Sequence, residues 1–307
     1  MVYDTIIIGA GPAGMSAGVY VCRKKIAALV LSKDIGGQMA KSWGIENYLG
    51  YNIISGADLA KKFKDHLDSF KCLTSLSGVE IEKISRIKKE FLVKLKDGSS
   101  YIAKTIIIAS GKAPRKLGAK GEEEFLGRGL TYCATCDAPL FANKIVAVVG
   151  DGNSALGATY QLNKIASQVY LLVTGSKFKK DLDKILMEKT LSAGNLKVIF
   201  DASVVEINGS QIISGLDYKD NKSGKIIQLP VQGVFVEIGS VPAIDFCKKL
   251  VKTNKLGEII IDRSNMTSVK GIFAAGDVTD VYEKQTIIAA GEGAKAAIGV
   301  ARYLSSH

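Results

Sequence analysis

Thr5-Ile-Ile-Ile-Gly9-Ala-Gly11-Pro-Ala-Gly14 reads as an apolar strand that runs into a glycine-rich turn and then, from Met15 to Cys22, into a helix. A second strand, Ala27-Ala-Leu-Val-Leu-Ser32, follows at the spacing of a βαβ unit. The pattern returns at Lys144-Ile-Val-Ala-Val-Val-Gly150-Asp-Gly152-Asn-Ser-Ala155, with a helix over 154–164 and a strand Val169-Tyr-Leu-Leu-Val173 behind it. One such glycine turn says little, because glycine turns are common. Two of them, each between an apolar strand and a helix, point to two dinucleotide-binding folds. Glycines let the backbone approach a pyrophosphate, whose charge then sits at a helix N-terminus.

Two further segments read as buried strands. Lys104-Thr-Ile-Ile-Ile-Ala-Ser-Gly111 lies between the two turns, and Gly271-Ile-Phe-Ala-Ala-Gly276-Asp277 ends in Gly-Asp ahead of a helix over 286–303. The length, 307 residues, suits about two domains. With 47% hydrophobic and 23% charged residues the chain is globular rather than disordered. No apolar run approaches the roughly 18 residues a membrane helix needs. The N-terminal stretch lacks the basic region and cleavage site of a secretion signal, so a cytoplasmic location is expected.

Five cysteines is an odd number. Cys22, Cys72 and Cys247 stand alone and are expected to be bystanders, so a disulfide framework is not expected. Cys133 and Cys136 form a Cys-x-x-Cys, which can close a disulfide within one helical turn. With no second cysteine pair and with His66 and His307 the only histidines, a structural zinc site lacks ligands, and no metal is expected.

Taken together, these residues resemble the low-molecular-weight thioredoxin reductases, a family of flavoprotein disulfide reductases. The carriers are Gly9-Ala-Gly-Pro-Ala-Gly14, Gly36-Gly-Gln38 with Glu46-Asn47-Tyr48, Cys133-Ala-Thr-Cys136-Asp137, Gly150-Asp-Gly-Asn-Ser-Ala155 and Gly271-Ile-Phe-Ala-Ala-Gly-Asp-Val278. The C-terminal half also resembles the flavoprotein subunit of alkyl hydroperoxide reductase, at Gly257-Glu-Ile-Ile-Ile-Asp262 and Gly291-Glu-Gly-Ala-Lys295. The resemblance implies an α/β fold of two Rossmann-like domains of the three-layer ββα type, the second inserted in the first. Residues 1–115 and 245–307 would form a discontinuous FAD-binding domain. Residues 116–244 would form an NAD(P)-binding-like domain carrying the redox-active Cys-x-x-Cys.

By the same resemblance FAD binds non-covalently. Gly9, Gly11, Pro12, Ala13 and Gly14 would cradle its pyrophosphate, and Asp277, after Gly276, would meet the ribityl chain. Gln38, Asn47 and Gln285 would lie near the flavin ring or its arm, and Gly37, Gly111 and Thr286 would also bind the cofactor. Reduced flavin would pass two electrons to the Cys133–Cys136 disulfide, and the dithiol would reduce thioredoxin through a mixed disulfide. Asp137 resembles the family's proton-handling acid. Cys136 is expected nearer the flavin, and a homodimer is implied.

The second nucleotide site departs from the family. Typical members carry a His-Arg-Arg run for the 2′-phosphate of NADPH, whereas this chain reads Leu171-Leu-Val-Thr-Gly-Ser-Lys-Phe-Lys-Lys180. Asp151 also sets a carboxylate inside the glycine turn, and the acid that would hold the ribose of NADH is missing. Lys177, Lys179 and Lys180 offer point charges rather than a guanidinium fork.

The net charge, +11, is uneven. Residues 1–115 hold 18 basic against 10 acidic side chains, residues 245–307 hold 9 against 7, and the inserted segment 14 against 13. A basic flavin domain steers acidic partners. Reduced ferredoxin, or another acidic electron carrier, is therefore expected as donor ahead of NADPH, as in the pyridine-nucleotide-independent branch of the family. Three alternatives stay open: an NADPH-dependent thioredoxin reductase, a reductase of a peroxiredoxin or glutaredoxin-like protein, and a non-catalytic flavin redox sensor. No reading motif for nucleic acid accompanies the charge.

Overall fold

The computed structural model describes residues 2–306 apart from 41, 43, 44, 46 and 181, with residues 135 and 136 described by their backbone. The chain divides into two compact units, one formed by the residues up to Ala113 and from Val241 onward, the other by Pro114–Ser240.

The first unit opens with β1 (Val2–Ala10), α1 (Pro12–Arg23) and β2 (Ala28–Ile35). Next come α2 (Gly37–Ala40), α3 (Gly56–Asp68) and β3 (Leu73–Ser77). The hairpin β4 (Ile81–Ile87) and β5 (Glu90–Leu95) leads to β6 (Ser100–Ile108) and the short β7 (Lys112–Pro114). The sheet order is β3-β2-β1-β6-β5-β4, parallel from β3 to β6 and antiparallel beyond. Ile6, Ile7, Ile106 and Ile107 are fully buried. Ile7 and Ile107 face one core with the helices, whereas Ile6 and Ile106 face the other. That two-sided burial is why these strands read as unbroken apolar runs. Each such side chain stabilises the fold by about 1.5–3 kcal/mol. The helix α3 starts at Ser55, whose hydroxyl oxygen accepts from the Asp58 N–H at 3.0 Å.

The second unit holds β8 (Leu130–Thr131), α4 (Ala134–Asp137) and a 3-10 turn (Ala138–Phe141). It continues through β9 (Ile145–Val149), α5 (Asn153–Asn163), β10 (Gln168–Leu172), α6 (Lys184–Leu191) and β11 (Leu196–Ile199). Then come β12 (Ala202–Gly209), β13 (Ile213–Asp220), β14 (Ile226–Leu229) and β15 (Gly233–Val236), and β16 (Ser240–Pro242) straddles the end of this unit. A parallel sheet of order β11-β10-β9-β15-β8 separates two cores. One core packs against α5, and the other against the antiparallel sheet β12-β13-β14. The chain then returns to the first unit with β17 (Ile272–Ala274), parallel to β6, and α7 (Thr286–Ser306). The α7 helix crosses α1 so closely that a Cβ at Gly293 would lie 2.0 Å from the Ala13 carbonyl oxygen.

One expectation is corrected. Cys22 and Cys72, read as bystanders, are joined by a disulfide with Cα atoms 5.8 Å apart. The cause is topological. Leu73, the residue after Cys72, pairs with Ala28 in the β2–β3 register, just past the end of α1. Cys247 is buried and free.

Candidate functional site

In the first unit the glycine turn folds flush against the end of β6. Gly9 has φ +106°, and a Cβ there would lie 2.3 Å from the Ala109 carbonyl oxygen. A Cβ at Gly14 would lie 1.8 Å from the Gly9 carbonyl oxygen. Gly11 caps α1 without a side-chain bond, and space is open around its Cα. Pro12 starts the helix and has no N–H to leave unpaired, while the first-turn amides at Ala13 and Gly14 have no intrahelical acceptor and no side-chain cap. Gly37 approaches the turn, since its Cβ would sit 3.6 Å from the Gly11 Cα. Gly276 closes in from β17, its Cβ position 3.0 Å from the Ala13 Cβ.

Asp277 follows Gly276 and is half-buried. Burial pushes its carboxyl above the usual range, and the charges of Lys284 and Lys112 oppose that. Both lysines pair with Glu258, at 3.2 and 3.1 Å, and Glu258 is 6% exposed. Burial would raise Glu258 too, but its bonds from Asn254, Lys112 and Lys284 outweigh it and hold it low. The Asn47 amide donates to Gln285 Oε1 at 2.9 Å, and the Gln38 amide to the Lys112 carbonyl at 2.8 Å, one residue from Gly111. Thr286 opens α7 beside Gln285. The cradle glycines, Asp277 and the Asn47–Gln285 pair all belong to this unit, whereas Glu46 lies outside the described residues. Sequence reasoning missed the Glu258–Lys112–Lys284 cluster, whose members stand more than 20 residues apart at their closest across the chain order.

The second unit presents its chemistry at the carboxyl ends of β8, β15 and β9, the edge where doubly wound folds place their sites. Cys133 follows β8 and is held in a disulfide. Cys136 stands in α4, and its side chain lies outside the described residues. The Cys133 N–H donates to the Thr131 hydroxyl at 3.0 Å, that hydroxyl donates to the Asp137 carboxylate, and the Asp137 N–H donates to the Cys133 carbonyl at 3.2 Å. The expected acid is thus tied to the expected cysteine by one hydroxyl. Tyr132 donates to Glu122, a carboxylate 5% exposed that also accepts from the Gly118 N–H at 2.7 Å. Burial and Glu122 push the Tyr132 phenol up.

Glu237, one residue past β15, was not expected. Its Oε1 accepts from the Ala134 N–H, the first residue of α4, at 3.5 Å. Burial pushes this carboxyl up to about 7, and the Ala134 bond only partly opposes it. It lines a cleft of about 550 Å³ with Ala134, Ser154, Tyr160, Gln161 and Lys164. The one trace of it in the sequence is a carboxylate closing the apolar run Gly233-Val-Phe-Val236.

Around the second glycine turn, Gly152 caps α5 without a side-chain bond. Asp151 is ion-paired with Lys179 at 2.7 Å, and the Asn153 side-chain oxygen accepts from the Asp183 N–H at 2.9 Å. The segment after β10 is therefore fastened to the turn, and Lys179 is engaged by Asp151. Among the described residues no group of three or more His, Cys, Asp or Glu is placed to hold a metal ion. No described helix is long and apolar enough to cross a membrane.

Comparison with known proteins agrees with this geometry. The family model described as pyridine nucleotide-disulphide oxidoreductase matches residues 3–293. An alkyl hydroperoxide reductase component of Staphylococcus aureus is 37% identical over 302 residues, which are 98% of this chain and 59% of that protein. The chain thus spans about three-fifths of the length of that relative. A thioredoxin reductase from Lactococcus lactis superposes with a TM-score of 0.84 at 32% identity, over 99% of this chain and 100% of that one. A ferredoxin-flavin thioredoxin reductase from Clostridium acetobutylicum gives 0.54 at 30% identity, over 99% of each chain.

Proposed function

Because the chain belongs to the pyridine nucleotide-disulphide oxidoreductase family, we propose that it is an FAD-dependent disulfide reductase that passes electrons to a thioredoxin-like protein. The observation that carries this reading is Cys133, held as a disulfide at a sheet edge with the Asp137 carboxylate tied to it through Thr131. The likeness to the L. lactis thioredoxin reductase supports it.

The Gly9–Gly14 turn, Gly37 and Gly276 fit a dinucleotide, because Gly9, Gly14 and Gly276 let the turn pack tightly, Gly11 leaves open space at the head of α1, and no side chain caps the first amides of that helix. Bound there, FAD supplies two-electron reduction of the disulfide. Asp277, whose carboxyl burial pushes above its usual range, would hold a hydroxyl-bearing arm of that group by hydrogen bonds. In the second unit Thr131 fixes the Asp137 carboxylate beside the redox turn, where it would relay a proton from solvent to the thiolate that leaves when the disulfide opens.

For the donor we favour an acidic electron carrier of the ferredoxin class over NADPH. Lys179, one of three lysines that could meet a 2′-phosphate, already neutralises Asp151. A pyrophosphate entering that turn must displace this pair or meet the carboxylate. The uncapped N-terminus of α5 favours the second reading, NADPH, because its free amides suit a phosphate. A cytoplasmic homodimer completes the proposal. The test is an anaerobic titration of the yellow protein with NADPH, NADH and chemically reduced ferredoxin in separate runs, then thioredoxin. Flavin bleaching by ferredoxin alone, reversed by oxidised thioredoxin, is expected. Fast bleaching by NADPH would overturn the donor assignment, and failure of thioredoxin to reoxidise the flavin would overturn the acceptor.

A further inference from the structure

The Cys22–Cys72 disulfide lies outside the chemistry described above. The two sulfurs differ in access, since Cys72 is exposed and Cys22 is 5% exposed. Their Cα separation of 5.8 Å falls inside the range that a disulfide spans without backbone movement. That backbone is fixed from several sides. A Cβ at Gly18 would lie 2.5 Å from Leu67 and 3.4 Å from Leu73, so α1 is pressed against α3 and β3. The Lys25 N–H donates to the Cys22 carbonyl at 2.9 Å, turning the chain sharply at the end of α1.

The charge around the pair is one-sided. Arg23, Lys24 and Lys25 follow Cys22, Lys71 precedes Cys72, and all four side chains are exposed. None of them forms an ion pair with a described residue. Asp68, three residues before Lys71, is already engaged by Lys64, and Asp34, nine residues past Lys25, forms no ion pair with any of the four. Cations beside a sulfur favour its thiolate and attract anionic reactants.

We propose that Cys22–Cys72 is a second thiol-exchange site of this protein, which takes small thiols bearing carboxylates and receives them at the exposed Cys72 sulfur. The incoming thiolate bonds to Cys72 Sγ, the bond to Cys22 breaks, and Cys22 keeps the electron pair and takes a proton. A second thiol then attacks the outer sulfur of the mixed disulfide, releases the small disulfide and leaves Cys72 as a thiol. Two small thiols are oxidised to one disulfide, and the protein disulfide becomes two thiols. In reverse, an anionic disulfide captures Cys72 and Cys22 resolves it. Burial of Cys22 confines the first contact to one sulfur, and the basic rim selects the reagent by charge. The site stands independently of the donor and acceptor proposed above.

The experiment exposes the purified, flavin-loaded protein to glutathione, 2-mercaptoethanol or cysteamine at equal thiolate concentration. Newly formed thiols are blocked with an isotopic alkylating reagent and assigned to Cys22, Cys72, Cys133 or Cys136 by peptide mass. Glutathione is expected to open Cys22–Cys72 at least about tenfold faster than cysteamine at low salt, with the gap narrowing at about 0.5 M salt. The mixed disulfide is expected on Cys72 alone. The surface variant Lys24→Glu/Lys71→Glu, tested in the same way, is expected to lose that preference while retaining its flavin absorbance. Equal rates for the three thiols, a mixed disulfide on Cys22, or a pair that stays closed to all three would each overturn the proposal.

Discussion

Replacing Glu237 by Gln probes the carboxyl beneath the redox turn. The acid is pushed from 4.5 up to about 7 by burial, so the folded state binds its proton more tightly than the unfolded state does. For an acid shifted in this direction stability is greatest below the unfolded value, declines as the pH rises from 4.5 to about 7, and levels off above. At 1.36 kcal/mol for each tenfold change in proton affinity, the cost of ionising Glu237 in place reaches about 3 kcal/mol, and water in the adjoining cleft lowers it toward about 1–3 kcal/mol. Gln keeps the shape and the acceptor for the Ala134 N–H but carries no charge. In matched urea unfolding followed by circular dichroism with FAD present, Glu237→Gln should gain under about 1 kcal/mol at pH 5 and about 1–3 kcal/mol at pH 8. Lys164 on α5 lines the same cleft, and its charge would favour the ionised acid. A stability difference that is flat with pH, or that shrinks as pH rises, would refute the assignment of burial as the dominant cause.

Gly14→Ala should cost at least about tenfold in FAD retention, read from the flavin-to-protein absorbance ratio, because the new methyl falls within bonding distance of the Gly9 carbonyl. Normal flavin content would show that the turn can yield. Asp151→Gly removes the carboxylate from the second turn and frees Lys179, so NADPH should bind about fivefold tighter by isothermal titration, matching about 1 kcal/mol for an exposed charge. An unchanged affinity would remove Asp151 from the donor argument. Cys22→Ser/Cys72→Ser opens a covalent loop with a sequence separation of 50. The unfolded-chain model puts the loss near 4 kcal/mol for a loop of this size, seen as a lower urea midpoint of the first unit. An unshifted midpoint would mean that the bond adds nothing to the fold.

The β1–turn–α1 segment could be read from the chain because its signals are local: unbroken isoleucines between two cores, then glycines at a fixed spacing. The same holds for Val146–Val149 and Gly150, and for Gly276–Asp277 after β17. Other features depend on contacts the sequence does not order. Cys22 and Cys72 meet only because β3 takes the strand position beside β2, and β3 (Leu73-Thr-Ser-Leu-Ser77) carries a weak pattern. Lys179 lies in an irregular segment whose path over the glycine turn is set by the Asn153–Asp183 bond, not by periodicity. Glu237 is buried only once α4 folds across the end of β15. The chain order between residues 69 and 100 was also silent about the β4–β5 hairpin, although its alternation is plain once the core side is known.

The split of the first unit has a consequence for synthesis. Its sheet and helix layer close only when β17 and α7 arrive, yet the whole of Pro114–Ser240 is made before them. At a translation rate of about 5–20 residues per second, the stretch from Pro114 to Ile272 takes roughly 10–30 s. During that interval the α1 face that α7 will cover, including the groove at Ala13 that admits Gly293, stands open to solvent while the second unit is free to fold. A nascent chain in this state exposes apolar surface beside an unfinished parallel sheet, the kind of edge that invites pairing with a neighbour. Ribosome-associated holding factors would therefore find their binding segment at α1, long before α7 leaves the exit tunnel.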